Sequence, residues 1–212
     1  MAKYFPILVN IKDKRCVVVG GGSVGERKIK TLLKYGAKIT LISPEITEKI
    51  KELINKGKIN YIKREYKKGD LEGAFLVVAA TSNSKINSQI AKDAVYLVNI
   101  VDKGDCKENR NNISYIVPAI YEIEDLTIAI STDFPALSKL IRDEIGKNYG
   151  KEFAKYLNYL KKIRREIKQK IADNRERQKI FRKIASKKIV SILRQKGFEE
   201  VRREIEKIIN ET

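Results

Sequence analysis

Apolar positions follow two different periods along this chain, and the changes of period divide it. Five short apolar runs come first: Arg15-Cys16-Val17-Val18-Val19, Lys38-Ile39-Thr40-Leu41-Ile42, Asn60-Tyr61-Ile62, and the stretches 74–80 and 95–101. The β-branched runs have no polar alternation, so they read as strands buried on both faces, as in a parallel sheet. Helical stripes lie between them. Val24, Ile29, Leu32 and Leu33 share one stripe over 25–35, and Gly36 follows as a helix-ending glycine. A second helix is predicted over 46–56 with a stop at Gly57, and a third over 85–92. The run Tyr4-Phe5-Pro6-Ile7-Leu8-Val9 is expected to pack an edge of the sheet, since Pro6 argues against a central strand.

After a polar loop at 103–112 the pattern changes. The runs 114–117 and 126–130, with residues 122–125 between them, predict two strands paired antiparallel. Ser131-Thr132-Asp133-Phe134-Pro135 reads as a turn, and a helix follows over 136–145 with Leu137, Leu140, Ile141 and Ile145 on its apolar face. From 151 to the end the spacing is helical throughout, as in Phe153, Tyr156, Leu157, Leu160, Ile163 and Ile167. The fold class is therefore α/β: a Rossmann-type parallel sheet over 1–113, a small α+β region over 114–150, and an all-helical, basic domain over 151–212.

The chemistry starts where the first strand ends. Gly20, Gly22 and Gly25 fit G-x-G-x-x-G between a β-branched strand and a helix, which is the context a dinucleotide site needs. Gly20 allows the tight turn, Gly22 lets a pyrophosphate approach the backbone, and Gly25 lets helix and strand pack closely. The helix beginning at Ser23 and Val24 turns free N–H groups toward the phosphates. At the end of the second strand, where NAD-binding units often carry a carboxylate, Ser43 stands as the candidate ribose contact. It is followed by Pro44 and Glu45, so this position leaves NAD against NADP open. Thr81 and Asn99 lie at two further strand ends, where ligands lie in open α/β sheets.

Composition narrows the chemistry further. There is no histidine, which excludes a Ser-His-Asp triad, a Cys-His pair and any His-containing metal site. Cys16 and Cys106 match no metal spacing and suggest no secreted disulfide scaffold, so no metal site is expected. No apolar stretch reaches the length of a membrane span and no secretory signal is recognised, so a cytoplasmic protein is expected. The formal charge is +18, from 45 basic and 27 acidic side chains. Such a balance suits nucleic acid, a membrane surface or a polyanionic small molecule. Residues 151–212 hold 20 basic and 9 acidic side chains, spread over many faces without a nucleic-acid reading motif.

Five motifs in order carry a family resemblance. They are Gly20-Gly21-Gly22-Ser23-Val24-Gly25-Glu26-Arg27-Lys28; Val78-Ala79-Ala80-Thr81 with Asn87 six residues on; Val98-Asn99-Ile100-Val101-Asp102; Ile116-Val117-Pro118-Ala119; and Ile128-Ala129-Ile130-Ser131-Thr132 leading to Pro135-Ala136-Leu137 and Arg142. Over nearly its full length the chain resembles the precorrin-2 dehydrogenase family, the amino-terminal type of siroheme synthase. The resemblance implies NAD-dependent oxidation of precorrin-2 to sirohydrochlorin in siroheme biosynthesis. It also implies a homodimer intertwined through the central region 114–150, and no nucleic-acid or membrane partner.

By the same resemblance, Asp102 matches the family's key aspartate, a general base or proton relay. Lys103, Ser131, Thr132 and Arg142 are the candidate contacts for the polycarboxylate substrate. Some relatives also insert ferrous iron. Bifunctional relatives have a longer Gly- and Ser-containing loop after the position of Ser131, whereas here Asp133-Phe134 leads straight into Pro135, a departure that counts against chelation. The competing readings are a nucleotide-sensing module of a transport system, a nucleic-acid-binding protein using the basic helices, and an unrelated dehydrogenase of a small substrate.

Overall fold

The structure is a computed structural model that describes residues 5–95, 97–100 and 113–211. By its internal contacts the chain divides into two compact units, 1–116 and 117–212.

In the first unit the strands are β1 (Arg15–Gly21), β2 (Lys38–Ile46), β3 (Asn60–Ile62), β4 (Leu76–Ala79), β5 (Leu97–Ile100) and β6 (Ile113–Ser114). They form one sheet in the order β3-β2-β1-β4-β5-β6, parallel throughout. Helices α1 (Ser23–Lys34), α2 (Glu48–Asn55) and α3 (Ser84–Asp93) cover it. The central strand shows why its sequence does not alternate. Cys16 and Val18 face a core with Ile29, Leu32 and Ile50, whereas Val17 and Val19 face a second core with Ile90 and Ala94. Both faces are dry, so every position is apolar. Full burial of one such isoleucine contributes about 2–3 kcal/mol.

The strand order reverses between β1 and β4, and at that switch point the carboxyl ends diverge and leave a crevice. The expected helix ends hold. Gly36 has φ 75° and its N–H donates to the Leu33 carbonyl, closing α1. Between β3 and β4 there is no crossover helix. Residues 63–75 form turns, held by a bidentate Arg64–Asp70 pair at 2.7 Å and by the Lys67 N–H on Asp70 at 2.8 Å.

Two sequence expectations change here. The run beginning at Phe5 does not join the sheet: 5–10 is irregular and exposed, with Phe5 85% and Leu8 82% accessible. Ser114 does not open the hairpin. It ends β6, which adds to the Rossmann sheet parallel to β5, and the chain crosses Pro118 before the hairpin begins. Proline cannot donate to a ladder, so it punctuates the apolar run.

The second unit opens with that hairpin, β7 (Ala119–Ile123) paired antiparallel with β8 (Leu126–Ile130). Glu124 takes the left-handed conformation, φ 48°, in the two-residue turn. Helix α4 (Pro135–Asn148) starts with Pro135 in its first turn and packs on the hairpin. A methyl group at Gly146 would lie 2.7 Å from the Tyr121 ring, and the Tyr121 hydroxyl donates to the Tyr149 carbonyl at 2.6 Å. Helices α5 (Lys151–Lys170), α6 (Asn174–Ile184), α7 (Lys187–Lys196) and α8 (Phe198–Asn210) bury one core of Tyr156, Ile163, Ile167, Ile180, Ile184, Ile189, Leu193, Val201 and Ile205. Asp173 and Ser186 cap α6 and α7. Among the described residues no helix is long and apolar enough to cross a membrane.

Candidate functional site

The crevice at the switch point is an open cleft of about 800 Å³. Gly20, Gly22, Ser23, Val24, Ser43 and Thr81 all line it. Gly25 lies beneath, buried under the turn, where a methyl group would sit 2.0 Å from the Gly20 carbonyl oxygen. Gly20 has φ 109°, and a methyl there would meet the Ala80 carbonyl at 2.3 Å. Both positions therefore demand glycine, one for conformation and contact, the other for contact alone. Gly22 differs: nothing lies within 4 Å of where its side chain would be. Its bareness faces the cleft.

The donors at the base of the cleft suit an anion. Helix α1 has no side-chain cap at Gly22, whereas Thr47 caps α2 and Asn83 caps α3. The first N–H groups of α1 therefore keep their hydrogen-bonding capacity for a ligand. Glu26, in the first turn, is turned away from this role. Its carboxylate accepts from Lys30 at 2.5 Å and from the Thr47 hydroxyl at 2.8 Å. Those two bonds, Lys30 first, hold its pKa below the usual value. The turn, the bare Gly22 and the uncapped helix together fit a dinucleotide pyrophosphate.

Ser43 and Thr81 are held by their own structure. The Ser43 hydroxyl accepts the Gly21 N–H at 3.0 Å and donates to the Glu45 carbonyl at 2.6 Å. The Thr81 hydroxyl donates to Asn87 Oδ1 at 2.7 Å, and the Asn87 amide returns a bond to the Thr81 carbonyl at 3.0 Å. Asn87 is fully buried, so it fixes the strand end that borders the cleft. Asn99 does not line the cleft. It is buried beside β6, its amide donates to the Tyr115 carbonyl at 2.9 Å, and its Oδ1 finds no partner among the described residues. Nearby, burial pushes the Cys16 thiol up to about 11 and raises the Tyr115 hydroxyl well above its ordinary value. Neither group is a candidate acid or base at neutral pH.

Asp102 and Lys103 lie outside the described residues. The remaining substrate candidates belong to the second unit. Ser131 is exposed. The Thr132 hydroxyl takes part in the start of α4, accepting from the Phe134 N–H at 3.1 Å and lying 2.8 Å from Ser138 Oγ. Arg142 is paired with Asp143 at 2.7 Å. Among the described residues no cluster of Cys, Asp or Glu is disposed to hold a metal ion.

Sequence reading missed Glu45, Glu65 and Tyr66, which also line the cleft. Glu65 and Tyr66 follow β3 at its carboxyl edge, the same signal that marked Thr81. Glu45 was hidden because β2 runs on to Ile46, four residues past the predicted end.

A β-α-β sheet in this order with a glycine turn at its switch point defines a Rossmann-type dinucleotide-binding protein. Residues 7–119, more than half of the chain, match the family described as "Putative NAD(P)-binding". The chain is similar over its whole length to a solved structure, SirC, precorrin-2 dehydrogenase, with a TM-score of 0.75 and 25% identity, covering 96% of this chain and 100% of that one. It is 31% identical over 197 residues to a siroheme synthase of Vesicomyosocius okutanii, covering 89% of this chain and 41% of that protein. It is 29% identical over 184 residues to a siroheme synthase of Nitrosococcus oceani, covering 86% of this chain and 39% of that protein. The chain thus spans about two fifths of the length of these curated relatives. It belongs to the family described as "Putative NAD(P)-binding".

Proposed function

We propose that this protein oxidises precorrin-2 to sirohydrochlorin with NAD+ in siroheme biosynthesis. The observation that carries the reading is the full-length similarity to SirC, because it takes in the helical second unit as well as the cofactor cleft. A bare nucleotide sensor would account for the first unit only. The reading includes a cytoplasmic location.

In this account NAD+ supplies a two-electron acceptor at C4 of the nicotinamide. The protein supplies position and proton transfer. Gly20, Gly22 and Gly25 shape the turn, and the N–H groups of Ser23 and Val24 hold the pyrophosphate. Ser43 and Thr81 set the two walls. Asn99 carries the following loop, and Asp102 takes the proton that leaves as the macrocycle gives up hydride. Two hydrogens leave precorrin-2, one as hydride and one as a proton, so one NADH forms for each sirohydrochlorin. Lys103, Ser131 and Arg142 bind substrate carboxylates, with Arg142 exchanging Asp143 for substrate; Thr132 supports them from the start of α4.

The functional division we propose is a cofactor domain over 1–113, a dimerisation region over 114–150 and a basic helical domain over 151–212. The support for a homodimer lies in β7, β8 and α4. A two-stranded hairpin is marginal alone and its outer edges invite further pairing. Phe134, Leu137 and Leu140 on or beside α4 are 66%, 44% and 57% exposed, a patch suited to a second copy.

The test is anaerobic incubation of precorrin-2 with the protein, with and without NAD+, following NADH and the sirohydrochlorin spectrum. NAD+-dependent turnover, lost in Asp102→Ala with NADH binding retained, is the expected result. Absence of NADH from a folded protein that binds NAD+ contradicts the proposal. Ferrous iron added to the same reaction decides chelation: a siroheme spectrum formed faster than without protein establishes it.

A further inference from the structure

Basic side chains outnumber acidic ones over residues 151–212, and the structure separates those that are neutralised from those that are not. Lys188 of α7 and Arg202 and Arg203 of α8 meet Glu204, Glu206 and Glu200 of α8 at 2.6, 3.0 and 3.3 Å. Arg177 of α6 donates to the carbonyls of Ile171 and Ala172. Arg175, Lys179, Arg182 and Lys183, also on α6, are exposed and have no carboxylate partner among the described residues.

These four share one face. In an α-helix, positions 175, 179, 182 and 183 fall within about 100° of arc. Phe181 and Ile184, on the other side, pack into the core of the unit. An open depression of about 720 Å³ follows the cationic face, with Asp173 and Glu176 at one end of its lining. Asp173 is engaged in capping, its carboxylate accepting the Glu176 N–H at 2.7 Å. The stripe works against the helix that carries it. Like charges three and four residues apart repel, and Arg175 stands in the first turn, at the positive end of the helix dipole. Cations held at a cost to their own helix point to an anion that offsets them.

What the face lacks narrows the anion. No aromatic or large apolar side chain of α6 is exposed, so nothing there stacks on a base or inserts into a lipid surface. Four cations over about 12 Å of helix neutralise few phosphates of a nucleic acid. They match a small molecule that spreads several carboxylates round one ring. We propose that the outer face of α6 is a capture surface for the polycarboxylate tetrapyrrole, separate from the contacts that hold it during oxidation. This rests on precorrin-2 being the substrate. The surface binds weakly and exchanges quickly, raising the rate at which substrate arrives, and takes no part in the oxidation.

The experiment titrates a stable, fluorescent octacarboxylate porphyrin into the protein at low and at near-physiological salt. Two variants lose four cations each. One carries Arg175→Gln, Lys179→Gln, Arg182→Gln and Lys183→Gln on the unpaired face. The other, a control, carries Lys155→Gln, Lys188→Gln, Arg202→Gln and Arg203→Gln, all at cations paired with glutamates. Relief of repulsion leaves the first variant with the wild-type melting temperature or a higher one. At low salt it binds the porphyrin about tenfold more weakly than the wild type and loses most of the salt dependence, whereas the control changes by less than about threefold. With precorrin-2 its kcat/KM falls by a like factor, with kcat and NADH affinity unchanged. Equal losses in the two variants overturn the proposal, since net charge alone would account for them. An oligonucleotide bound more tightly than the porphyrin, and lost from the first variant, gives the face to nucleic acid and overturns it as well. The porphyrin titration needs no turnover. A wild type inactive on precorrin-2 therefore contradicts the proposed oxidation and the substrate named here, while an unchanged titration contradicts the capture surface alone.

Discussion

Gly22 and Gly25 stand three residues apart and do different work, which single substitutions separate. A methyl at Gly25 collides with the Gly20 carbonyl at 2.0 Å, against backbone that has nowhere to go. Gly25→Ala is expected to cost about 2 kcal/mol or more of stability and to lower the melting temperature with it. A methyl at Gly22 meets nothing within 4 Å. Gly22→Ala should leave stability within about 0.5 kcal/mol and weaken NADH binding about tenfold, because the new group faces the pyrophosphate. Thermal melts and NADH titrations of both variants check this; equal effects on stability would contradict it. The glycines were legible from sequence because spacing alone fixes a turn between strand and helix. Glu45 was not, because a bulge is a matter of register, and register between Gly21 and Ile46 is decided by the Ser43 bridge rather than by any local pattern. Nor could the sequence tell that the Ser43 hydroxyl is committed to backbone.

Among the elements, the loop between β3 and β4 depends on an ion pair. Arg64, then the Lys67 N–H, hold the Asp70 carboxyl below its ordinary value, against the opposing effect of partial burial. A depressed folded pKa contributes stability that is present above the unfolded value and lost as pH falls through the folded one. Wild-type stability should therefore fall more steeply below about pH 4 than that of Asp70→Asn, which starts lower at neutral pH. Melting temperature against pH for the two proteins measures the difference, and parallel acid limbs would contradict it. The α4–hairpin contact gives a second prediction. Gly146→Ala gains about 1 kcal/mol of helix propensity but drives a methyl against the Tyr121 ring. That ring is pinned by its bond to Tyr149, so the net effect is a loss of about 1–2 kcal/mol. In a Tyr121→Ala background the same change should be neutral or stabilising, which a double-mutant cycle reads directly. The hairpin itself was half legible. The strand 126–130 was legible, but 115–117 and 119–121 form one apolar run broken by Pro118, and which part pairs with β8 is set by the Glu124 turn.

At the scale of the whole molecule, the order of strands and helices was readable because two-sided burial leaves an unmistakable apolar run at each central strand. The exposure of Phe134, Leu137 and Leu140 was not, since helical periodicity marks a face as apolar without saying what covers it. If a second copy covers it, Leu137→Lys with Leu140→Glu should convert a dimer to a monomer in sedimentation velocity while the far-ultraviolet spectrum is kept; a wild type that sediments as a monomer would contradict the proposed dimer. The central claim joins the glycine cleft to tetrapyrrole oxidation, and one measurement tests that join. Anaerobic precorrin-2 turnover, followed as NADH formed while NAD+ is titrated, should give one NADH per sirohydrochlorin. In Gly22→Ala the KM for NAD+ should rise about tenfold with little change in kcat. Oxidation of precorrin-2 at the same rate without NAD+, or NADH formation insensitive to Gly22→Ala, would contradict the account.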